Sequence, residues 1–213
     1  MTCCSSECFE STFNERRAKR QLKRYRKRGP DKTTRMLVDA LRAAGVQDAS
    51  LLDVGAGIGV VHHELLASGA HSAVHVDAVR PHIRLAEEEA RRRGHVEQVR
   101  FLLGDFVGLA DGIPPADVVT LDRVICCYPD MEQLVATSAA KAKRLYGAVF
   151  PQERRAFKAM LAIQNFLWKV LGNPFRAYIH PVAAIDAALR RQGFTPQSVA
   201  DTILWRVAVY VRS

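Results

Sequence analysis

The chain has 213 residues, 48% hydrophobic and 25% charged, proportions that exclude wholesale disorder and fibrous repeats. A chain this long buries a core without disulfide staples, and its five cysteines fit a reducing, cytoplasmic setting. The formal net charge is +9, and most of it lies at one end. Residues 1–35 hold eleven Lys/Arg against four acids, so a nearly neutral body carries a basic arm. Such an arm suits a solvated helix face, nucleic acid, peripheral contact with an anionic membrane surface, or an acidic substrate.

The opening residues MTCCSSECFE have neither a basic nor an apolar leader region, so no secretory signal is expected. Residues 10–28 read as a charged helix ended by Gly29-Pro30. A second helix follows over 32–44, with Met36, Leu37, Ala40 and Leu41 on one face and Gly45 as its stop. Short apolar runs then alternate with helical segments. Strands are expected at Ser50–Val54, Ala73–Asp77, Val99–Leu103, Asp117–Leu121 and Tyr146–Phe150, with helices at 59–68, 81–93 and 131–144. That alternation means βαβ units and a parallel sheet covered on both faces. Beyond Pro151 come a helix over 152–171, the segment Asn173–Pro181, a helix over 182–192 and an alternating run, Ile203–Arg212, that reads as a last strand. The stretch Ala156–Leu171 is broken by Lys158, Gln164, Asn165 and Lys169 and cannot span a bilayer.

The sharpest feature is Asp53-Val54-Gly55-Ala56-Gly57-Ile58-Gly59, three alternate glycines where a buried strand turns into a helix. Missing β-carbons let the chain turn tightly and let a ligand lie on bare backbone. The spacing G-x-G-x-G, followed by Val60 and Val61, does not complete the G-x-G-x-x-G turn that seats a pyrophosphate. With Asp53 two positions before the first glycine, it suits a ligand without phosphate and with a cationic amino-acid tail. Asp77, 24 residues on from Asp53, ends the second strand, where a carboxylate takes ribose hydroxyls. Asp105, in Gly104-Asp105-Phe106, ends the third and is placed to accept from an adenine amino group. Phe106, with Ala78 or Val79 opposite, is placed to cover the adenine faces. A strand-end Asp is on its own more often a helix cap; three at successive strand ends after a glycine turn make the joint coincidence improbable.

These residues resemble the class I S-adenosylmethionine-dependent methyltransferases over about 48–213. The resemblance implies a doubly wound, mostly parallel seven-stranded α/β sheet with its last strand antiparallel, the Rossmann-like methyltransferase fold, behind an N-terminal helical extension. Residues 1–46 form the basic, Cys-containing extension. Residues 47–213 form the cofactor-binding domain, with an inserted helical segment around 152–181. The implied cofactor is S-adenosyl-L-methionine, with Asp53, Gly55, Gly57, Gly59, Asp77, Ala78, Asp105, Phe106, Leu121 and Asp122 as its contacts and no metal.

The methyl acceptor is read from the end of strand four. Leu121-Asp122-Arg123-Val124-Ile125-Cys126-Cys127-Tyr128-Pro129 contains no Asn/Asp-Pro-Pro-Tyr motif of base-amine methyltransferases, and the chain contains no Pro-Cys dipeptide of cytosine-C5 enzymes. That stretch, Phe150-Pro151 and Arg176-Ala177-Tyr178-Ile179-His180 are similar instead to the magnesium-protoporphyrin O-methyltransferases, which esterify a porphyrin propionate. Cys127 stands where that family tends to have His. The resemblance implies transfer to a carboxylate on an apolar small molecule. Arg176 is the first choice for the carboxylate clamp, and Tyr128, His180 and Arg123 are further candidates for orienting the acceptor. Helix 152–171, with Phe157, Leu161, Phe166, Leu167 and Trp168, either walls an apolar pocket or packs as a plain core helix. Nucleic-acid methylation through the basic arm and cofactor binding without turnover are the rival readings. Of His62 and His63, one is expected to face solvent and the other to approach the acceptor. Cys3, Cys4 and Cys8 read as an exposed, redox-labile cluster, and Arg91-Arg92-Arg93 as cations complementing a helix C-terminus.

Overall fold

The structure, a computed structural model, describes Phe9 and residues 12–213. The readings of Cys3, Cys4 and Cys8 lie outside the described residues.

Asn14 caps helix α1 (Glu15–Arg28) by accepting from the Arg17 amide, and Gly29 ends it in a left-handed conformation (φ 71°). The i, i+4, i+7 residues Ala18, Leu22 and Tyr25 are its only buried ones and pack on Ile58 and Leu85. The rest of the basic helix is solvated, with one important exception. Arg26 reaches the fully buried carboxylate of Glu89 at 2.9 Å. Helix α2 (Lys32–Ala44), capped by Asp31, lays Leu37, Val38 and Leu41 on the sheet. Gly147 makes that approach possible, since a Cβ there would lie 2.9 Å from Leu37 Cδ1.

The sheet has seven strands: β1 (Ser50–Val54), β2 (Ser72–Asp77), β3 (Val99–Leu103), β4 (Ala116–Asp122), β5 (Ala142–Pro151), β6 (Phe194–Asp201) and β7 (Trp205–Arg212). Their order is β3-β2-β1-β4-β5-β7-β6. The first five run parallel, and β7 runs antiparallel to both its neighbours. The sheet is thus the expected doubly wound, mostly parallel one. Helices α3 (Val60–Leu66), α4 (Arg80–Arg93), the single turn α5 (Phe106–Leu109), α6 (Met131–Ala140), α7 (Arg155–Val170) and α8 (Val182–Arg191) complete the chain. One core, built on Leu37, Leu41, Leu51, Val118 and Val209, fills the α2 side, and another, built on Leu52, Val119, Leu121, Tyr146 and Phe194, fills the opposite side.

Two sequence expectations differ from the structure. Helix 131–144 stops at Ala140, and β5 begins at Ala142, four residues before Tyr146. Lys143 and Arg144 keep polar tips in water while Ala142 and Leu145 are buried, so the strand's start hides behind its charges. Strand β6 has no counterpart among the predicted elements. Thr195-Pro196-Gln197-Ser198 is a polar edge whose pairing shifts between Pro196 and Ser198, as strand prolines require.

Candidate active site

In this order the chain crosses from the β1–β2–β3 half to the β4–β5 half between β1 and β4, the switch point where doubly wound sheets bind ligands. The glycine turn leaves β1 there. Gly55, Gly57 and Gly59 all have left-handed backbones (φ 61°, 59° and 82°), which side-chain-bearing residues rarely adopt. Their surroundings differ. A Cβ at Gly55 would lie 2.6 Å from Val124 Cγ2 and one at Gly59 2.5 Å from His62 Cε1, whereas one at Gly57 would meet nothing within 4 Å. Gly55 and Gly59 are packing glycines, and Gly57 turns bare backbone toward open space.

The carboxylates sit at the tips of neighbouring strands but do different work. Asp53 is buried, with Oδ1 accepting from Thr120 Oγ1 at 2.7 Å and Oδ2 from His62 Nδ1 at 3.0 Å. Asp77 Oδ2 accepts the Gly57 amide and its Oδ1 the Val79 amide, both at 2.8 Å, with His82 Nδ1 at 3.2 Å. Ala78, next along, is half-buried. Asp105 caps α5 and accepts from Tyr128 Oη at 3.2 Å. Asp122 accepts from Thr34 Oγ1 at 2.5 Å and from Arg123 Nε at 3.1 Å. Burial raises the Asp122 pKa, against the lowering pull of the Arg123 guanidinium. Leu121 and Phe106 are core residues, so Leu121 offers a ligand only its backbone and the Phe106 ring packs inward.

Arg123, a candidate for the acceptor, is committed elsewhere. Its Nη1 lies 2.7 Å from Asp31 and its Nε bonds Asp122, a bridge that fastens the start of α2 to the end of β4. Tyr128 and His180 do come together. His180 Nε2 donates to the Tyr128 carbonyl at 2.9 Å, the Tyr178 amide donates to the Cys126 carbonyl at 2.7 Å, and burial holds His180 below the usual histidine range. Segment 173–181 is thereby stitched to the loop after β4. Arg176 Nη1 donates to the carbonyls of Asn173 and Phe175, which orients the guanidinium and leaves its other nitrogens without an intramolecular hydrogen bond among the described residues. Cys126 and Cys127 face one another at 3.8 Å. The Cys126 contact and burial push the Cys127 thiol up, so it stays protonated.

The N-terminal extension closes over this ground. The Phe13 ring lies 5.4 Å from Phe175 and 6.1 Å from His82, the histidine beside Asp77, and Thr12 and Asn173 share a hydrogen bond at 3.0 Å. On α7, Phe157, Leu161 and Trp168 face the body, while Phe166 and Leu167 point to solvent and wall no pocket. The sequence also misled about His62 and His63. Neither faces solvent: both are fully buried, in a cluster with His75 and His95. Their placement directly after a glycine turn was the available signal, since a first helical turn packed under a sheet buries two successive residues. Among the described residues no group of three or more His, Cys, Asp or Glu side chains is placed to hold a metal ion.

Residues 51–145, which run from β1 into β5, match the sequence profile of a family described as "Methyltransferase domain". Over that segment, a little under half of the chain, the sequence is similar to a methyltransferase domain. Among solved structures, it is similar to magnesium protoporphyrin IX methyltransferase (ChlM) from Synechocystis PCC 6803 with bound SAH, at 23% identity and a TM-score of 0.70, over 85% of this chain and 82% of that one. It is also similar to 1,6-didemethyltoxoflavin-N1-methyltransferase from Burkholderia thailandensis, at 18% identity, TM-score 0.69, over 98% of this chain and 87% of that one. A third likeness is to an O-methyltransferase family protein of the same organism, at 15% identity and TM-score 0.74, over 99% of this chain and 64% of that one. No curated protein sequence matches the chain. At these identities the structural likenesses establish the fold.

Proposed function

We propose that the protein is an S-adenosylmethionine-dependent O-methyltransferase whose acceptor is a carboxylate on an apolar, porphyrin-like small molecule. The observation that carries the cofactor part is the cradle at Gly57: bare left-handed backbone facing open space, its amide anchored by Asp77, at the switch point of the sheet. A Cβ would intrude on that space, and bare backbone there lets a ligand lie close against the turn. Methyltransferases with bound SAH or SAM on the same fold support the same ligand here. Asp77 would hold the ribose, Asp105 the base, and the Gly55–Gly59 backbone the amino-acid tail. Asp53 supports the turn from beneath, through His62 and Thr120.

When bound, the cofactor supplies a methyl group on a sulfonium centre. An acceptor carboxylate is already ionised near neutral pH, so the protein's task is alignment, and approximation of this kind is worth about 7–11 kcal/mol of barrier. Arg176, oriented by two backbone carbonyls, clamps the carboxylate through its free nitrogens. Tyr128, held by Asp105, and His180, held by the Tyr128 carbonyl, fix the wall opposite. Phe13, Phe175 and Trp168 give that side an aromatic lining. The similarity of the loop after β4 and of Arg176–His180 to the magnesium-protoporphyrin enzymes favours a propionate.

Transfer of labelled methyl from S-adenosylmethionine to a panel of metalloporphyrins, simpler carboxylic acids, nitrogen heterocycles and RNA tests this reading. Base-labile label on a porphyrin acid is the expected result. Label on a ring nitrogen or on RNA overturns the acceptor assignment, and silence with tight cofactor binding overturns turnover itself.

A further inference from the structure

Helix α7 has two apolar faces, and among the described residues only one is packed against the protein. Phe157, Leu161, Asn165 and Trp168 form the narrow stripe that grips the body. Phe157 packs on Trp205, Trp168 packs on Phe175, and the Asn165 side chain bonds both backbone groups of Ala177. The opposite side carries Met160, Ile163, Phe166, Leu167, Val170 and Leu171. All are exposed, Ile163 at 62%, Phe166 at 64% and Val170 at 67%. At about 100° per residue these six span an arc of roughly 140°. A soluble surface rarely gathers so many large apolar groups in one place. The β6–β7 turn adds Ile203 at 76% exposed beside the start of this helix, where the Gln152 amide donates to the Leu204 carbonyl.

Charge decides what fits this face. Helix α7 contains Arg155, Lys158 and Lys169 and no acid; Lys158 pairs with Glu153 just before the helix at 3.0 Å, which leaves Arg155 and Lys169 without an acidic partner among the described residues. At helical spacing these cations lie along one flank of the bare apolar arc, and long cationic stems can hold their heads at a lipid headgroup while the apolar arc sinks in. Two copies of the chain meeting through α7 would bring like charges together. Among the described residues no helix, α7 included, is long and apolar enough to cross a bilayer. We infer that α7 is an interfacial helix that lies in the surface of an anionic membrane, with its Met160–Leu171 face buried among the lipids. The solvated cations of α1 then add electrostatic attraction.

The experiment is flotation of the full chain with phosphatidylcholine vesicles, with and without phosphatidylglycerol, for the wild type and for the triple variant Ile163→Ser, Phe166→Ser, Val170→Ser. None of these residues belongs to the cofactor cradle, so circular dichroism and S-adenosylhomocysteine affinity are expected unchanged. The expected result is capture of the wild type by anionic vesicles only, reduced at least tenfold in the variant. Capture that survives the triple substitution would assign binding to the basic arm alone and overturn the role of α7. Wild type that stays off the vesicles, or that sediments as a dimer which the variant dissolves, would overturn the membrane and give the face to a second copy of the chain.

Discussion

Asp77 Oδ2 accepts the backbone amide of Gly57 at 2.8 Å. A carboxylate at the tip of β2 thus sets the shape of the glycine turn that leaves β1, and under the proposed function the same side chain would also hold the ribose. Asp77→Ala should weaken S-adenosylhomocysteine binding by about 1–3 kcal/mol, the scale of lost hydrogen bonds to a charged group. Asp77→Asn keeps an acceptor for Gly57 and should lose less. Calorimetry on both variants checks this, and equal affinity for Asp77→Ala and wild type would remove Asp77 from the cofactor site.

The three glycines should respond differently to alanine. At Gly57 the substitution meets no protein atom, so it costs about 1–2 kcal/mol of left-handed strain while intruding on the cradle, and affinity should fall more than stability. At Gly59 the new methyl would press on His62, which holds Asp53. That variant should lose several degrees more in melting temperature than Gly57→Ala, with thermal unfolding as the readout.

Thr34, Asp122, Arg123 and Asp31 form a latch between α2 and the end of β4. Arg123→Ala leaves the Asp122 carboxylate, already raised by burial, without its cation, and should destabilise by about 1–3 kcal/mol. Thr34→Val removes one donor and should cost about 1 kcal/mol. Denaturant titration measures both. Additive losses in the double variant would show that the latch is not one unit.

The glycine turn, the five parallel strands and the acids at their tips were legible because period and spacing are local. Asp53-x-Gly55-x-Gly57-x-Gly59 announces a cradle whatever surrounds it. What was hidden depends on partners far along the chain. Arg123 reads as a free cation beside an acceptor loop until Asp31 is seen next to it. Glu89 is a buried acid on an otherwise charged helix, and Arg26, Arg92 and Arg93 surround it. Burial alone would raise its pKa, but these three cations outweigh that and hold it down to about 2. Strand β6 was lost because its outer edge is polar and contains a proline, and α7 reads as either a pocket wall or a plain core helix because sequence alone does not say which of two apolar faces is covered.

Acid should undo the fold through the histidines under the turn. His62, His63, His75 and His95 pack ring to ring, with Phe101 against His75. Nε2 of His62 and His63 and both nitrogens of His75 have no hydrogen-bond partner. Burial, reinforced by neighbouring histidines and Arg93 against the weaker opposing pull of Glu89, lowers the His63 pKa to about 2, and burial takes His75 well below its ordinary value. The unfolded chain therefore takes up protons as pH falls below about 6.5 while the folded chain refuses them. Stability is fully present above that pH and should fall toward pH 2, with a slope approaching about 1.4 kcal/mol per pH unit for each histidine excluded. His75→Phe, which keeps an aromatic ring against Phe101 and removes two unpartnered nitrogens, should flatten that slope and raise stability below pH 6. Urea titrations across pH 4–8 measure it, and parallel curves for variant and wild type would show that His75 takes no part in the acid response.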